Sequence, residues 1–163
     1  MSGIIGGAGS RSGIIGVNGT NNPCFSAFLS TAFDPGNTNT FYNTYCDTEL
    51  FDSHGAYDAT NGTWTCPITG TYHITATIAW NTSIAANAEF YGQLLHEAAH
   101  TIEWNMFSGG DAGESPYLKL AIDYPFNQGE VLIVRGWQNS NNATKFYGDA
   151  KGSGCKFSGF RLS

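Results

Sequence analysis

His96-Glu97-Ala98-Ala99-His100 is the stretch of this 163-residue chain whose residue types and spacing could do chemistry. On an α-helix, histidines at i and i+4 lie about 6 Å apart and can bind one zinc ion. The glutamate between them would then be the general base of a metallopeptidase. Residues 84–100 contain the Ala, Glu, Gln and Leu that helices favour. Two features oppose this reading. The third ligand of the H-x-x-G-x-x-H spacing would fall at position 106, which is Met106. Alternation also runs through the region: Phe90, Gly92 and Leu94 take one side, and Tyr91, Gln93 and Leu95 take the other. It resumes over Thr101-Ile102-Glu103-Trp104-Asn105-Met106. The pattern predicts a strand, a tight turn at Glu97-Ala98-Ala99, and a second strand. On one straight strand the two imidazoles would be about 13 Å apart, too far for one ion. Across a tight hairpin they would face each other at about 5 Å. Plain turn residues, a structural metal on His96 and His100, and a catalytic zinc are thus three distinct expectations. The β pattern favours the first, so no cofactor and no catalytic residue is expected.

The other reactive side chains lack a motif. His54 and His73 have no Gly-x-Ser-x-Gly nucleophile elbow to serve. Asp52, Asp58, Asp111 and Glu114 lie in loops, where carboxylates either hold calcium or solvate turns; turns are the expectation. Tyr42, Tyr45, Trp80 and Trp137 could stack on sugars, although core or interface filling is the simpler role. Cys24, Cys46, Cys66 and Cys155 form no CxxC pair. Buried reduced thiols are expected, and a disulfide would leave three connectivities open.

The elements that position these groups read as strands. Hydrophobic residues make up 41% and charged residues only 12% of the chain, about half the usual charged share. That composition suits short strands joined by many turns. CFSAFLSTAF (24–33) ends at the turn signal Asp34-Pro35-Gly36-Asn37. FYNTY (41–45) and TELF (48–51) follow, and Asn61-Gly62 marks a hairpin. In TGTYHITATIAW (69–80), Tyr72, Ile74, Ala76, Ile78 and Trp80 share one face, and His73, Thr75 and Thr77 share the other. YLKLAIDY (117–124) alternates. EVLIVRGW (130–137) reads as a strand buried on both sides, and CKFSGFRL (155–162) is the last strand. Strands at this spacing imply a sandwich or jelly roll.

Net charge is −6, and the seven basic residues form no run. Neither nucleic acid nor an anionic membrane surface is an expected partner. No apolar run approaches the roughly 18 residues of a membrane span. No signal peptide is readable, which predicts assembly in a cytosol or export by a route the sequence does not show.

Residues 1–22 form a separate zone, in which SGIIG occurs at 2–6 and again at 12–16. Glycine is costly to order, so this stretch cannot build a core of its own. Paired isoleucines on such a backbone suit an arm that docks on another surface. Ile4, Ile5, Arg11, Ile14 and Ile15 are the expected anchoring residues.

Two resemblances emerge from these residues. FDSHGAYDATNGTWTCPITGTYHITATIAW (51–80) carries Phe51-Asp52, Tyr57-Asp58, Asn61-Gly62, Trp64, Pro67 and Gly70-Thr71-Tyr72 in an order that resembles the complement-C1q globular domain. KFSGFRL (156–162) resembles that family's closing strand. SPYLKLAIDYPFNQGEVLIVRGW (115–137) resembles its Leu-x-Leu and Gly-Asp-x-Val strands, with Gly129-Glu130 standing for Gly-Asp. The likeness spans 23–163 and implies a ten-strand, all-β jelly roll of the complement and tumour-necrosis-factor type. It also implies a homotrimer and no catalytic residues. The arm, SGIIGGAGSRSGIIG, resembles the opening of tailed-phage structural proteins. Together they imply a virion protein: a trimeric knob over 23–163 that decorates or cements a capsid. Its arm, 1–22, would dock on the major capsid protein or on a fibre or tail protein. A knob of a tail or head fibre that recognises host surface glycans is the alternative reading.

Overall fold

The computed structural model describes residues 22–36, 39–81, 87–97, 99–108, 115–140 and 145–163. The arm residues Ile4, Ile5, Arg11, Ile14 and Ile15 lie outside the described residues, as do Asp111 and Glu114.

The described residues form eleven strands in two antiparallel sheets. One sheet runs β3 (Thr48–Asp52), β1 (Cys24–Phe28), β11 (Lys156–Arg161), β6 (Gly70–Ala79), β9 (Tyr117–Phe126). The other runs β4 (Tyr57–Asp58), β5 (Thr63–Thr65), β10 (Val131–Gln138), β7 (Glu89–His96), β8 (His100–Ser108). A short β2 (Tyr42–Asn43) pairs with β10. Sequence neighbours commonly lie in different sheets, which makes a jelly-roll sandwich. The expected ten strands become eleven because β2 and β4 are separate two-residue pieces.

The alternation read from β6 is the alternation found. Tyr72, Ile74, Ala76 and Ile78 are buried, while His73, Thr75 and Thr77 are half-buried on the opposite face. They meet Phe90 and Leu94 of β7, Leu132 and Val134 of β10, and Trp64 of β5 in a continuous core. Each such side chain, removed from water, contributes about 1.5–3 kcal/mol.

The expectation for β10 is corrected. Only alternate residues, Leu132, Val134, Gly136 and Gln138, are buried, and Val131, Ile133, Arg135 and Trp137 are half-buried on the outside. A β-branched run reports strand preference but not how many faces are covered. Gly136 is required by close approach, because a Cβ there would lie 2.5 Å from the Phe146 ring. The Asn61-Gly62 turn joins β4 to β5 as expected, with Gly62 at φ +68° and its N–H donating to the Asp58 carbonyl at 2.8 Å.

Candidate functional site

The HEAAH segment closes the β7–β8 hairpin, and its helical reading is overturned. His96 pairs with His100 across the hairpin mouth. The turn is tight: the Ala99 N–H donates to the His96 carbonyl at 3.1 Å, and Glu97 takes the left-handed conformation at φ 52°. Glu97 is committed to the scaffold. Its N–H donates to the Val131 carbonyl at 2.9 Å, and its Oε1 accepts from the Val131 N–H at 2.7 Å. These bonds tie the hairpin to the start of β10. They do not aim the carboxylate at a reacting water.

The two histidines differ. His100 is exposed. The His96 ring packs against Tyr124 and Phe126, with centroids 5.5 Å away in each case. Its Nε2 lies 3.2 Å from Glu130 Oε2, at an angle that makes no hydrogen bond. Glu130 itself accepts from the Asn127 backbone and side-chain amides at 2.8 Å each. Those hydrogen bonds hold its carboxyl below the usual range, helped by the nearby imidazole. Among the described residues no group of three His, Cys, Asp or Glu side chains is placed to share a metal ion.

The remaining sequence candidates find structural partners. Asp52 accepts from the N–H groups of His54 (3.0 Å) and Tyr57 (2.7 Å). Asp58 accepts from the Thr60 N–H at 2.8 Å and the Asn61 side-chain amide at 2.5 Å, which lowers its pKa. Both carboxylates therefore organise turns. Ser53 Oγ lies 2.7 Å from His54 Nδ1, yet the same hydroxyl contacts the Cys24 carbonyl at 3.1 Å, so this neighbouring pair serves the β1–β3 edge. Trp80 is fully buried. Tyr45 packs edge-on to Phe33, and Trp137 packs edge-on to Tyr91.

All four cysteines are free thiols; Cys24 is half-buried and the others are buried. Burial pushes the Cys155 thiol up to about 12, and the Cys46 thiol is raised for the same reason. A thiol reagent at pH 8 is expected to label Cys24 alone in the native protein and all four cysteines in denaturant. Labelling of Cys46 or Cys155 at the Cys24 rate would contradict this packing.

The sequence reading missed an outward apolar surface on the β3-β1-β11-β6-β9 sheet. Phe51 is 53% exposed and Phe160 is 45% exposed, with Leu50 and Leu162 exposed nearby. Phe51 and Phe160 line a shallow groove of about 340 Å³ with Ser26, His73, Thr75 and Ser158. The Phe160 ring leans on His73, at 5.3 Å between centroids, and His73 Nδ1 contacts Asp123 Oδ1 at 2.6 Å. Parity carried a signal here. Phe157 and Phe160 are three residues apart, so one strand cannot turn both inward. Phe157 is buried and Phe160 is exposed.

No protein-family profile and no curated protein matches the chain. Among solved structures, it is similar to the globular domain of zebrafish complement 1qA protein, with a TM-score of 0.63 at 12% identity. That match covers 86% of this chain and 98% of the other. The fold is therefore a C1q-like jelly roll.

Proposed function

We propose that this chain is a structural virion protein of a tailed bacteriophage. In this reading it forms a homotrimeric knob that decorates or cements a capsid, with no enzymatic role. Residues 1–22 anchor it to a capsid or fibre protein, and it takes its place in the virion after assembly in the host cytoplasm. The observation that carries the reading is the Phe51/Phe160 face. Large apolar groups left outside a small domain mark a contact surface. The chain enters the sandwich beside this face, since Pro23 precedes β1 and accepts from the Arg161 N–H of β11 at 2.9 Å. The first described residues thus lead into the same sheet that carries the contact surface. The C1q-like fold agrees with a binding and assembly module. The overall charge of −6 argues against nucleic acid as the partner.

Attachment follows mass action: each docked copy stabilises the shell only as far as it prefers the assembled state. Three arms on one knob add avidity beyond a single weak arm. Deleting residues 2–16 is expected to leave a folded oligomer with native mass close to three times its chain mass. That oligomer should no longer attach to particles. Full occupancy by the truncated protein would remove the anchor assignment, and a monomeric full-length chain would remove the trimer.

A further inference from the structure

The second sheet presents a different surface. Along β10, Arg135 and Trp137 face outward, opposite the buried Val134 and Gly136. Register carries this face across the neighbouring strands. Arg135 pairs with Asn43 of β2 and with Gln93 of β7, and Gln93 pairs with Trp104 of β8. One step along, Trp137 pairs with Tyr91, and Tyr91 pairs with Met106. Paired residues on antiparallel strands project to the same side. Two adjacent rows of aromatic and planar polar side chains result.

Trp104 is 62% exposed, on the edge strand. It borders a groove of about 280 Å³ together with Phe41, Tyr91, Gln93 and Thr101. That volume lies just below the roughly 300 Å³ at which small-molecule sites begin. The polar groups are aligned. Thr101 Oγ1 donates to Gln93 Oε1 at 3.1 Å, which orients the Gln93 amide and leaves its nitrogen to donate elsewhere. Arg135 lies over Phe41, its guanidinium carbon 5.3 Å from the ring centroid. Its Nε is buried and makes no hydrogen bond, and no carboxylate pairs with it among the described residues. That nitrogen is out of a ligand's reach, but Arg135 as a whole is half-buried and its guanidinium charge meets no carboxylate among the described residues.

We propose that this face binds an acidic oligosaccharide, with Trp104 stacking on a sugar ring and Arg135 taking a sugar carboxylate. The apolar face of a pyranose suits an exposed indole. Ring hydroxyls suit the Gln93 amide and the Thr101 hydroxyl. A carboxylate suits a guanidinium, whose planar fork it matches. The charge argument is specific: among the described residues, a cation without a counter-ion lies on this face of a chain carrying 13 acidic and 7 basic residues. Arg135 and Trp104 stand two strand spacings apart, about 10 Å, so the ligand spans more than one ring. The site is independent of the assembly reading, because it lies on the sheet opposite Phe51 and Phe160.

The test is titration calorimetry of the full chain with a hyaluronate hexasaccharide, trigalacturonate and 3′-sialyllactose. Chitohexaose and lactose serve as neutral counterparts. At least one acidic probe is expected to bind saturably, and binding should weaken with added salt. Trp104→Ala is expected to weaken it by roughly tenfold or more. Arg135→Gln is expected to remove the preference for acidic over neutral probes. Gln93→Glu, of similar size, should repel the acidic probe while circular dichroism stays native. Failure of all three acidic probes, or equal binding by Trp104→Ala, overturns the site. Unchanged acid preference in Arg135→Gln overturns the role of the guanidinium.

Discussion

Replacing Trp64 by alanine is expected to cost the domain about 4 kcal/mol of stability. Trp64 is 1% exposed and belongs to the three-residue strand β5. Its ring reaches across the sandwich to the opposite sheet. It stacks on Phe25 at 5.5 Å and meets Tyr72 and Phe126 edge-on at 5.0 and 5.3 Å. Those three partners come from β1, β6 and β9. One side chain therefore joins four strands and both sheets, and the others cannot close over the void it leaves. At roughly 2–4 °C per kcal/mol for a domain of this size, the melting temperature should fall by about 8–16 °C. The measurement must hold protomer concentration constant, because self-association would add its own stability. Trp137→Ala is the comparison. Trp137 lies on the outward face against Tyr91, so its removal opens no enclosed cavity and should cost clearly less. Equal losses from the two would show that the aromatic bridge is not what couples the sheets.

The second large effect concerns assembly. The double substitution Phe51→Asp with Phe160→Asp is expected to convert the proposed trimer to a 17.5 kDa monomer in native mass spectrometry. About half of each ring is still in contact with water in the single chain. Burying that half against a neighbour is worth on the order of 2 kcal/mol per ring, and a trimer would bury six such rings. A carboxylate in each place would have to be desolvated without a partner, which adds a further cost. Both rings point away from the core, so circular dichroism of the variant should match that of the unaltered protein. A variant that keeps the mass of three chains would move the interface to another surface. The Trp104/Arg135 platform should still bind its saccharide in the monomer, since the two faces belong to different sheets.

Several features were legible because they are local. The period-two pattern over Tyr72–Trp80 assigned its inward face correctly, and Asn61-Gly62 marked a real turn. The HEAAH segment is instructive: an accepted metal motif lay inside a strand pattern, and the pattern prevailed. The catalytic zinc of this motif needs the helix that brings i and i+4 together with the glutamate beside them, and alternating flanks cannot supply that helix. The outward partners were harder to read. From sequence, Phe51, Phe160, Trp104 and Arg135 read as members of strands, with nothing to single them out as outward neighbours. Trp80 and Trp137, considered together from sequence, separated completely: one is buried and the other faces out. A tryptophan at the end of a strand has no parity partner beyond it, so local pattern does not say whether a loop will cover it. Here the bridge between Trp80 and Phe146 does.

By itself, then, the sequence determined most strands, the inward side where apolar and polar residues alternate, and the Asn61-Gly62 turn, because each depends on a few consecutive residues and the two-residue pleat; in the continuous apolar run of β10 it left the inward side open. Only the tertiary structure decided which outward residues become neighbours. Asn43, Arg135, Gln93 and Trp104 form one row although 92 positions separate the first two. Alternation states which side of a strand a residue takes and is silent on which strand lies next to it. That choice is made by long-range register, which is set when the two apolar faces close on one core and every strand must meet its inward partners at once.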